Sequence, residues 1–268
     1  MLHRRIELNE NGSHNAFLTT YFIESNPEIS GRKRPVVIVC PGGAYCSISF
    51  REGEPIALKF LAEGYHAAVL NYSLYPHATY PTALLELGRV IQMLRENADE
   101  WLIDTDKIIL IGFSAGGHLV ASYSCFWSGN LIANNLGCDA NVLNPNAVIL
   151  GYPVISQEHT LGGSFRHLLG DRYDELVSEI SLQNKVNEDN PPAFIWHTET
   201  DEAVSVNNSI LFAEELNDKN IPCELHIYPE GQHGLALANE ATAIDESQIV
   251  PCCQEWIDKA IMWTKRIY

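Results

Sequence analysis

The run from Lys107 to Ser122, KIILIGFSAGGHLVAS, constrains the fold of this chain more than any other stretch. Ile108-Ile109-Leu110-Ile111 is continuously apolar and rich in β-branched residues, as a strand buried on both faces of a parallel sheet must be. Gly112 and Gly116 bracket a break, after which Gly117-His118-Leu119-Val120-Ala121 continues as a helix. Strand, G-x-S-x-G and helix in this order put Ser114 at the tip of a sharp turn, the setting of a serine nucleophile. Small residues on either side let strand and helix approach. The amide of Ala115, at the helix start, is a candidate donor to an oxyanion. An ordinary strand-to-helix turn also needs small residues, so the reading requires a base, an acid and further donors elsewhere.

Along the chain, strands alternate with helical patterns. Arg4-Leu8 and Ala16-Ile23 read as an antiparallel edge around Asn11-Gly12-Ser13. Pro35-Cys40, His66-Leu70, Ala147-Tyr152, Ala193-Thr198 and Cys223-Tyr228 read as further strands. Helices are expected over Glu54-Leu61, from Pro81 to about Ala98, over Val206-Asn217 and from about Cys252 to Arg266. Ser128-Asn146, polar and Asn/Gly-rich, is expected to be a surface loop. The β-α-β-α order predicts an α/β fold: a mostly parallel twisted sheet of about eight strands with helices on both faces. Residues 153–190 fall outside the alternation and read as a small insertion with short helical stretches at Phe165-Leu169 and Asp174-Glu179, placed to lid a site.

The chain has 268 residues, 46% of them hydrophobic, and no linker or repeat divides it, so one domain is expected. A net charge of −17 repels phosphate backbones and anionic lipid, which argues against nucleic-acid and membrane partners. No apolar run reaches the length of a membrane span, and the first residues lack the apolar core of a secretory leader. The seven cysteines show no C-x-x-C and no disulfide framework, so a reduced, cytoplasmic protein is expected. Metal-ligand spacings such as H-E-x-x-H are also missing, and neither a metal nor another cofactor is called for.

The remaining parts of a serine site are sought just beyond the carboxyl ends of the strands. Pro41-Gly42-Gly43-Ala44-Tyr45 follows strand 35–40, and the amides of Gly43 and Ala44 are the candidate oxyanion donors. After strand 193–198 come Glu199, Asp201 and Glu202; Asp201 is favoured as the acid because it lies furthest into the turn anchored by Val204. Of ten histidines, His233 stands in a Gly-Gln-His-Gly turn after the last strand, free to point at the serine, and is the expected base. His226 lies inside a strand, and His118 and His197 read as satisfied structural histidines.

With these residues placed, the chain resembles the α/β-hydrolase superfamily. More narrowly it is similar to the small intracellular esterases related to acetyl-xylan esterases and feruloyl-esterase-like sugar hydrolases. The stretches that carry the resemblance are CPGGAY (40–45), LNYSLYP (70–76), IGFSAGGHLVAS (111–122), PPAFIWHTETDEAVSVNNSILFAEEL (191–216) and ELHIYPEGQHGLALA (224–238). The resemblance implies Ser114, Asp201 and His233 as the triad, with Gly43, Ala44 and Ala115 as oxyanion donors. It also implies a small-molecule ester substrate, an acetylated oligosaccharide in particular. Tyr45, Tyr72, Tyr75 and Trp127 are candidates to stack on a sugar ring, with core packing as the alternative. A general short-chain carboxylesterase, a peptidase of the same fold and a binding protein on a hydrolase scaffold are the competing readings. A homo-oligomer is compatible with all of them.

Overall fold

A computed structural model describes all of residues 1–268. Eight strands form one sheet: β1 (Leu2–Glu7), β2 (Phe17–Phe22), β3 (Arg34–Cys40), β4 (His66–Asn71), β5 (Ile103–Phe113), β6 (Ala147–Gly151), β7 (Ala193–Thr198) and β8 (Cys223–Tyr228). Their spatial order is β1-β2-β4-β3-β5-β6-β7-β8. The β1–β2 and β2–β4 pairs are antiparallel, and every other pair is parallel. The expected count, parallel core and antiparallel edge are all present.

The central strands are apolar throughout because both faces of the sheet are covered. Their side chains alternate between two cores. Val36, Ile38, Ile108, Leu110, Val148, Leu150 and Ile195 enter one, while Val37, Val39, Ile109, Ile111, Ile149, Phe194 and Trp196 enter the other. The second core is closed by α1 (Glu54–Ala62), through Ile56, Ala57 and Phe60, and by the C-terminal helix Trp256–Ile267, through Trp256, Ile257, Ala260 and Ile261. The first is closed by α2 (Thr82–Glu96), α3 (Ala115–Phe126) and the helix Asn207–Asp218. Helix α3 is buried from Ala115 to Cys125, so it lies in the middle of its layer and cannot present a polar face.

Three expectations need correction. The segment 128–146 is not a bare surface loop: α4 (Asn130–Leu136) and a short turn of 3₁₀-helix, Ala140–Leu143, occupy it. Ile132, Ala133 and Leu136 are buried, and the Ile132 side chain sits where a Cβ on Gly88 of α2 would stand, 2.7 Å away. The C-terminal helix begins at Trp256 instead of Cys252, because turns bonded Val250–Cys253 and Cys253–Trp256 precede it. Within the insertion, α5 (Ser164–Leu169) matches, whereas α6 (Tyr173–Leu176) is a single turn. Phe165, Leu168, Leu169, Ile180 and Leu182 anchor the insertion in the first core. The helices Asn207–Asp218 and Trp256–Ile267 are α7 and α8. No helix is long and apolar enough to cross a membrane.

Candidate active site

Every candidate group sits in a loop that leaves the carboxyl end of a strand: Gly43 and Ala44 after β3, Ser114 after β5, Asp201 after β7 and His233 after β8. The parallel arrangement directs those ends to one edge of the sheet, which is why residues distant in sequence converge there.

Ser114 has φ 53° and ψ −119°, a backbone conformation that an L-residue adopts only when its surroundings hold it. Three hydrogen bonds do so. Ser114 N donates to Gly151 O at 3.1 Å, and its carbonyl accepts from Val154 N at 3.1 Å and His118 N at 3.0 Å. Gly116 cannot be larger, since a Cβ there would lie 2.1 Å from the Cys40 carbonyl oxygen. The serine Oγ is 2.8 Å from His233 Nε2, and His233 Nδ1 is 2.6 Å from Asp201 Oδ2. The other carboxylate oxygen, Asp201 Oδ1, accepts from Ala203 N at 3.0 Å and Val204 N at 2.9 Å. Of the three acids in this loop, then, Asp201 is the one that meets His233.

Burial by itself would raise the Asp201 carboxyl. Hydrogen bonds from His197 and His233, the charge His233 can carry and the Val204 amide outweigh burial and hold it well below the usual carboxylate range. His197 Nε2 lies 2.9 Å from Val204 O and 3.4 Å from Asp201 Oδ2, while its Nδ1 is 2.7 Å from Ser209 Oγ. One proton on Nε2 serves both oxygens, so His197 steadies the acid loop while satisfying itself.

The oxyanion loop is held in an unusual shape. Gly43, Ala44 and Tyr45 all have positive φ, at 130°, 52° and 60°. At Gly43 a side chain is excluded outright, because a Cβ would lie 2.0 Å from Ser47 O. The carbonyls of this loop are engaged: Gly43 O by Cys46 N and Ser47 N, Ala44 O by His167 Nδ1 at 2.9 Å, and Tyr45 O by Tyr75 N at 2.9 Å. The amides of Gly43, Ala44 and Ala115 donate to nothing within the chain. Three free N–H groups beside a serine Oγ are what a developing oxyanion requires.

Tyr45 and Tyr72 do not face the cleft, which corrects their candidacy for sugar contact. Both are buried, at 3% and 2% exposure, and pack in the first core: Tyr45 from the bent oxyanion loop, Tyr72 from the end of β4. The Tyr72 hydroxyl donates to Pro41 O at 2.7 Å. The Tyr45 hydroxyl bonds His118 Nδ1 at 2.9 Å, and His118 Nε2 donates to Ile180 O of the insertion at 2.8 Å. Burial pushes His118 down to about 4, so it stays neutral and Nδ1 remains an acceptor. Of the other two aromatics, Tyr75 packs on His167 and Trp127 Nε1 donates to Asp189 O.

Sequence reasoning missed Arg51, Glu52 and Tyr152. Glu52 is buried at 2% exposure and accepts hydrogen bonds from Gly42 N at 2.8 Å and from the Tyr152 hydroxyl at 2.7 Å. The Tyr152 oxygen in turn accepts from Ala236 N at 3.0 Å, and its ring meets that of His233 edge-on, with centroids 5.1 Å apart. Arg51 donates to Gly234 O at 2.8 Å and Thr242 O at 2.6 Å. Together these three side chains tie the oxyanion loop to the histidine loop. No periodicity or spacing marks them, since the bonds that join the two loops span 84 to 191 residues.

The cleft over Ser114 has a volume of about 400 Å³ and is walled mainly by small or polar groups, including Ser47, Ser49, Thr160, Ser164 and Ala203, with Leu161 and Val204 as its larger apolar side chains. An antiparallel bridge, Thr160 to Val204, fastens the insertion to the acid loop and brings Thr160 and Leu161 to the cleft.

Residues 25–216 match the BD-FAE family. The chain belongs to that family. Among its relatives, endo-1,4-beta-xylanase B of Butyrivibrio fibrisolvens is 38% identical over 213 residues, which cover 78% of this chain and 33% of the relative. The acetylxylan esterase of Xylanibacter ruminicola is 31% identical over 223 residues, covering 80% of this chain and 42% of the relative. The chain thus spans a third to less than half of these two proteins. Among solved structures, a carboxylesterase from Lactobacillus plantarum superposes with a TM-score of 0.86 at 30% identity, covering 99% of this chain and 98% of that one. The BD-FAE chain described here therefore has the α/β-hydrolase fold of an esterase over its whole length.

Proposed function

We propose that this BD-FAE chain is a single-domain serine carboxylic-ester hydrolase that removes acetyl groups from acylated carbohydrate. The observation that carries the reading is the unbroken relay Ser114–His233–Asp201, at 2.8 and 2.6 Å, beside three amides with no partner of their own. In this mechanism His233 Nε2 takes the Ser114 proton as Oγ attacks the ester carbonyl. The carbonyl oxygen, now negative, is held by the amides of Gly43, Ala44 and Ala115. Asp201 keeps the proton on His233 Nδ1 and stabilises the imidazolium. Collapse of the tetrahedral intermediate breaks the C–O bond to the alcohol, whose oxygen receives the proton from His233. Water, activated by the same histidine, then attacks the acyl-Ser114 ester, releasing the carboxylic acid and restoring the serine.

Two features support a short acyl group and an uncharged alcohol. Leu161 and Val204 are the only large apolar side chains lining the cleft, and Leu161 stands exposed at its rim, so a long acyl chain finds few partners to pack against. The acidic surface, at net −17, disfavours anionic substrates. The acetylxylan esterase and xylanase relatives support a xylan-derived sugar as the alcohol. The second reading, a general short-chain carboxylesterase, is favoured by the burial of Tyr45 and Tyr72, which leaves them unable to stack on a sugar. Seven free thiols support a cytoplasmic setting.

The test is hydrolysis of an acyl series from acetyl to octanoyl, run beside peracetylated xylose. The proposal expects turnover to fall steeply beyond butanoyl and acetate to be released from the sugar. A rising preference for longer chains would support the general carboxylesterase instead.

A further inference from the structure

A second cavity, about 440 Å³, lies alongside the catalytic cleft and is lined by Thr200, Glu202, Ala203, Gly231, Gln232 and His233. Ala203 and His233 also line the cleft, so the two spaces share one methyl group and one imidazole as common lining. We propose that this cavity is a subsite for a further sugar residue on the alcohol side of the scissile ester, which makes the enzyme act on acetylated oligosaccharide in preference to acetylated monosaccharide. The inference rests on the esterase reading above.

The direction of the leaving group carries the argument. His233 must deliver its proton to the alcohol oxygen, so the sugar bearing the acetyl group has to lie against His233 and away from the oxyanion amides. Asp201 backs the ring from within at Nδ1 and Tyr152 meets it edge-on, so what remains exposed, 24% of the side chain, faces the two cavities. A glycan joined to that sugar runs past His233 and over Ala203, and the space it enters is the second cavity.

The lining specifies the ligand. Glu202 is exposed and has no hydrogen-bond or ion-pair partner. Gln232 donates through Nε2 to Ser247 Oγ at 3.1 Å, which leaves its Oε1 free. Thr200 is occupied with Gly231, bonding both its carbonyl and its amide. The free side-chain groups are the Glu202 carboxylate, the Gln232 Oε1 and the second Gln232 N–H; there is no lysine or arginine, and the only hydrophobic side chain is that of Ala203. Such a surface suits a ligand that brings many hydroxyl donors and no negative charge, which describes a neutral pentose or hexose unit. A phosphorylated sugar would be repelled by Glu202, and an acyl tail would find nothing to bury against.

The experiment measures kcat and KM on phenyl acetate, monoacetylated xylose and monoacetylated xylotriose for wild type, Glu202→Ala and Gln232→Ala. The expected wild-type preference, as kcat/KM for the trioside over the monosaccharide, is about tenfold, and each variant should lower that ratio roughly three- to tenfold through KM. General structural damage would lower all three substrates together and leave the ratio unchanged. Equal kcat/KM for trioside and monosaccharide in wild type, or variants that leave the ratio intact, would overturn the subsite while leaving the esterase standing. Absence of turnover on all three would overturn the esterase reading and the subsite with it.

Discussion

Replacing Tyr152 with phenylalanine deletes one oxygen and nothing else, and that oxygen joins the two loops on which the proposed chemistry depends. The hydroxyl donates to Glu52 Oε1 at 2.7 Å and accepts from Ala236 N at 3.0 Å, all within a buried region. Without it, the Ala236 amide is left with no acceptor, at a cost of about 1–3 kcal/mol, and the Glu52 carboxylate loses one of its two donors, at about 1.5–3 kcal/mol. The sum, about 2.5–6 kcal/mol, corresponds to a fall in Tm of at least about 5 °C and up to roughly 20 °C for a chain of this size. Activity should suffer through position, because Ala236 lies three residues beyond His233 and Glu52 fixes the Gly42 amide next to the oxyanion donors. The expected signature is a fall of about tenfold in kcat on an acetate ester with KM little changed, as for loss of an interaction that matters only in the transition state. Thermal melts by circular dichroism and steady-state kinetics measure both. A Tm within 2 °C of wild type with unchanged kcat would refute the claim that this bridge orders the site.

Three further outcomes are expected. Because burial holds folded His118 at about 4, below its ordinary value near 6.5, the unfolded chain binds a proton that the folded chain refuses between those values. Its contribution is full above about pH 6.5 and declines as the pH falls toward 4, so it alone should lower stability in urea by about 2 kcal/mol between pH 7 and pH 5, and His66, also held at about 4 by burial, adds a loss of the same sign; equal stability at the two pH values would contradict this. Asp201→Asn keeps the shape of the acid loop but removes the charge that opposes the His233 imidazolium, and kcat should fall by about 10³–10⁴ with near-normal folding, read by the same ester assay. Gly116→Ala places a methyl 2.1 Å from Cys40 O and 2.4 Å from Pro41 O, so the end of β3 must shift. A loss of about 1–3 kcal/mol and of most ester turnover should follow, and wild-type values for both would show that the elbow has room to spare.

The sequence made the sheet legible because its central strands are buried on both faces, and such strands cannot hide their apolar runs. Ser114 was legible for the same reason: glycines and a buried helix flank it within ten residues. His233 and Asp201 followed from the rule that sites gather at carboxyl ends of parallel strands, which turns chain order into position. What escaped depends on contacts across long separations. Glu52 reads as one more charge before a helix until Tyr152, 100 residues on, is seen to reach it. Tyr45 and Tyr72 follow glycine-rich or strand-end turns and look available for a ligand, but the left-handed backbone at Ala44 and Tyr45 turns Tyr45 inward, and Tyr72 is buried with its hydroxyl tied to Pro41 O. Helix α4 was masked by asparagines and glycines, since its three buried residues matter only against the gap left by Gly88.

The central claim is that Ser114 is the nucleophile, and covalent trapping tests it most directly. The protein would be treated with a fluorophosphonate, digested and mapped by mass spectrometry, with residual acetate-ester turnover followed in parallel and Ser114→Ala as the comparison. The account predicts a single adduct on the peptide containing Ser114, loss of turnover in step with labelling, and neither labelling nor turnover in the variant. Undiminished turnover by Ser114→Ala, or complete inactivation with the adduct on another residue, would contradict it.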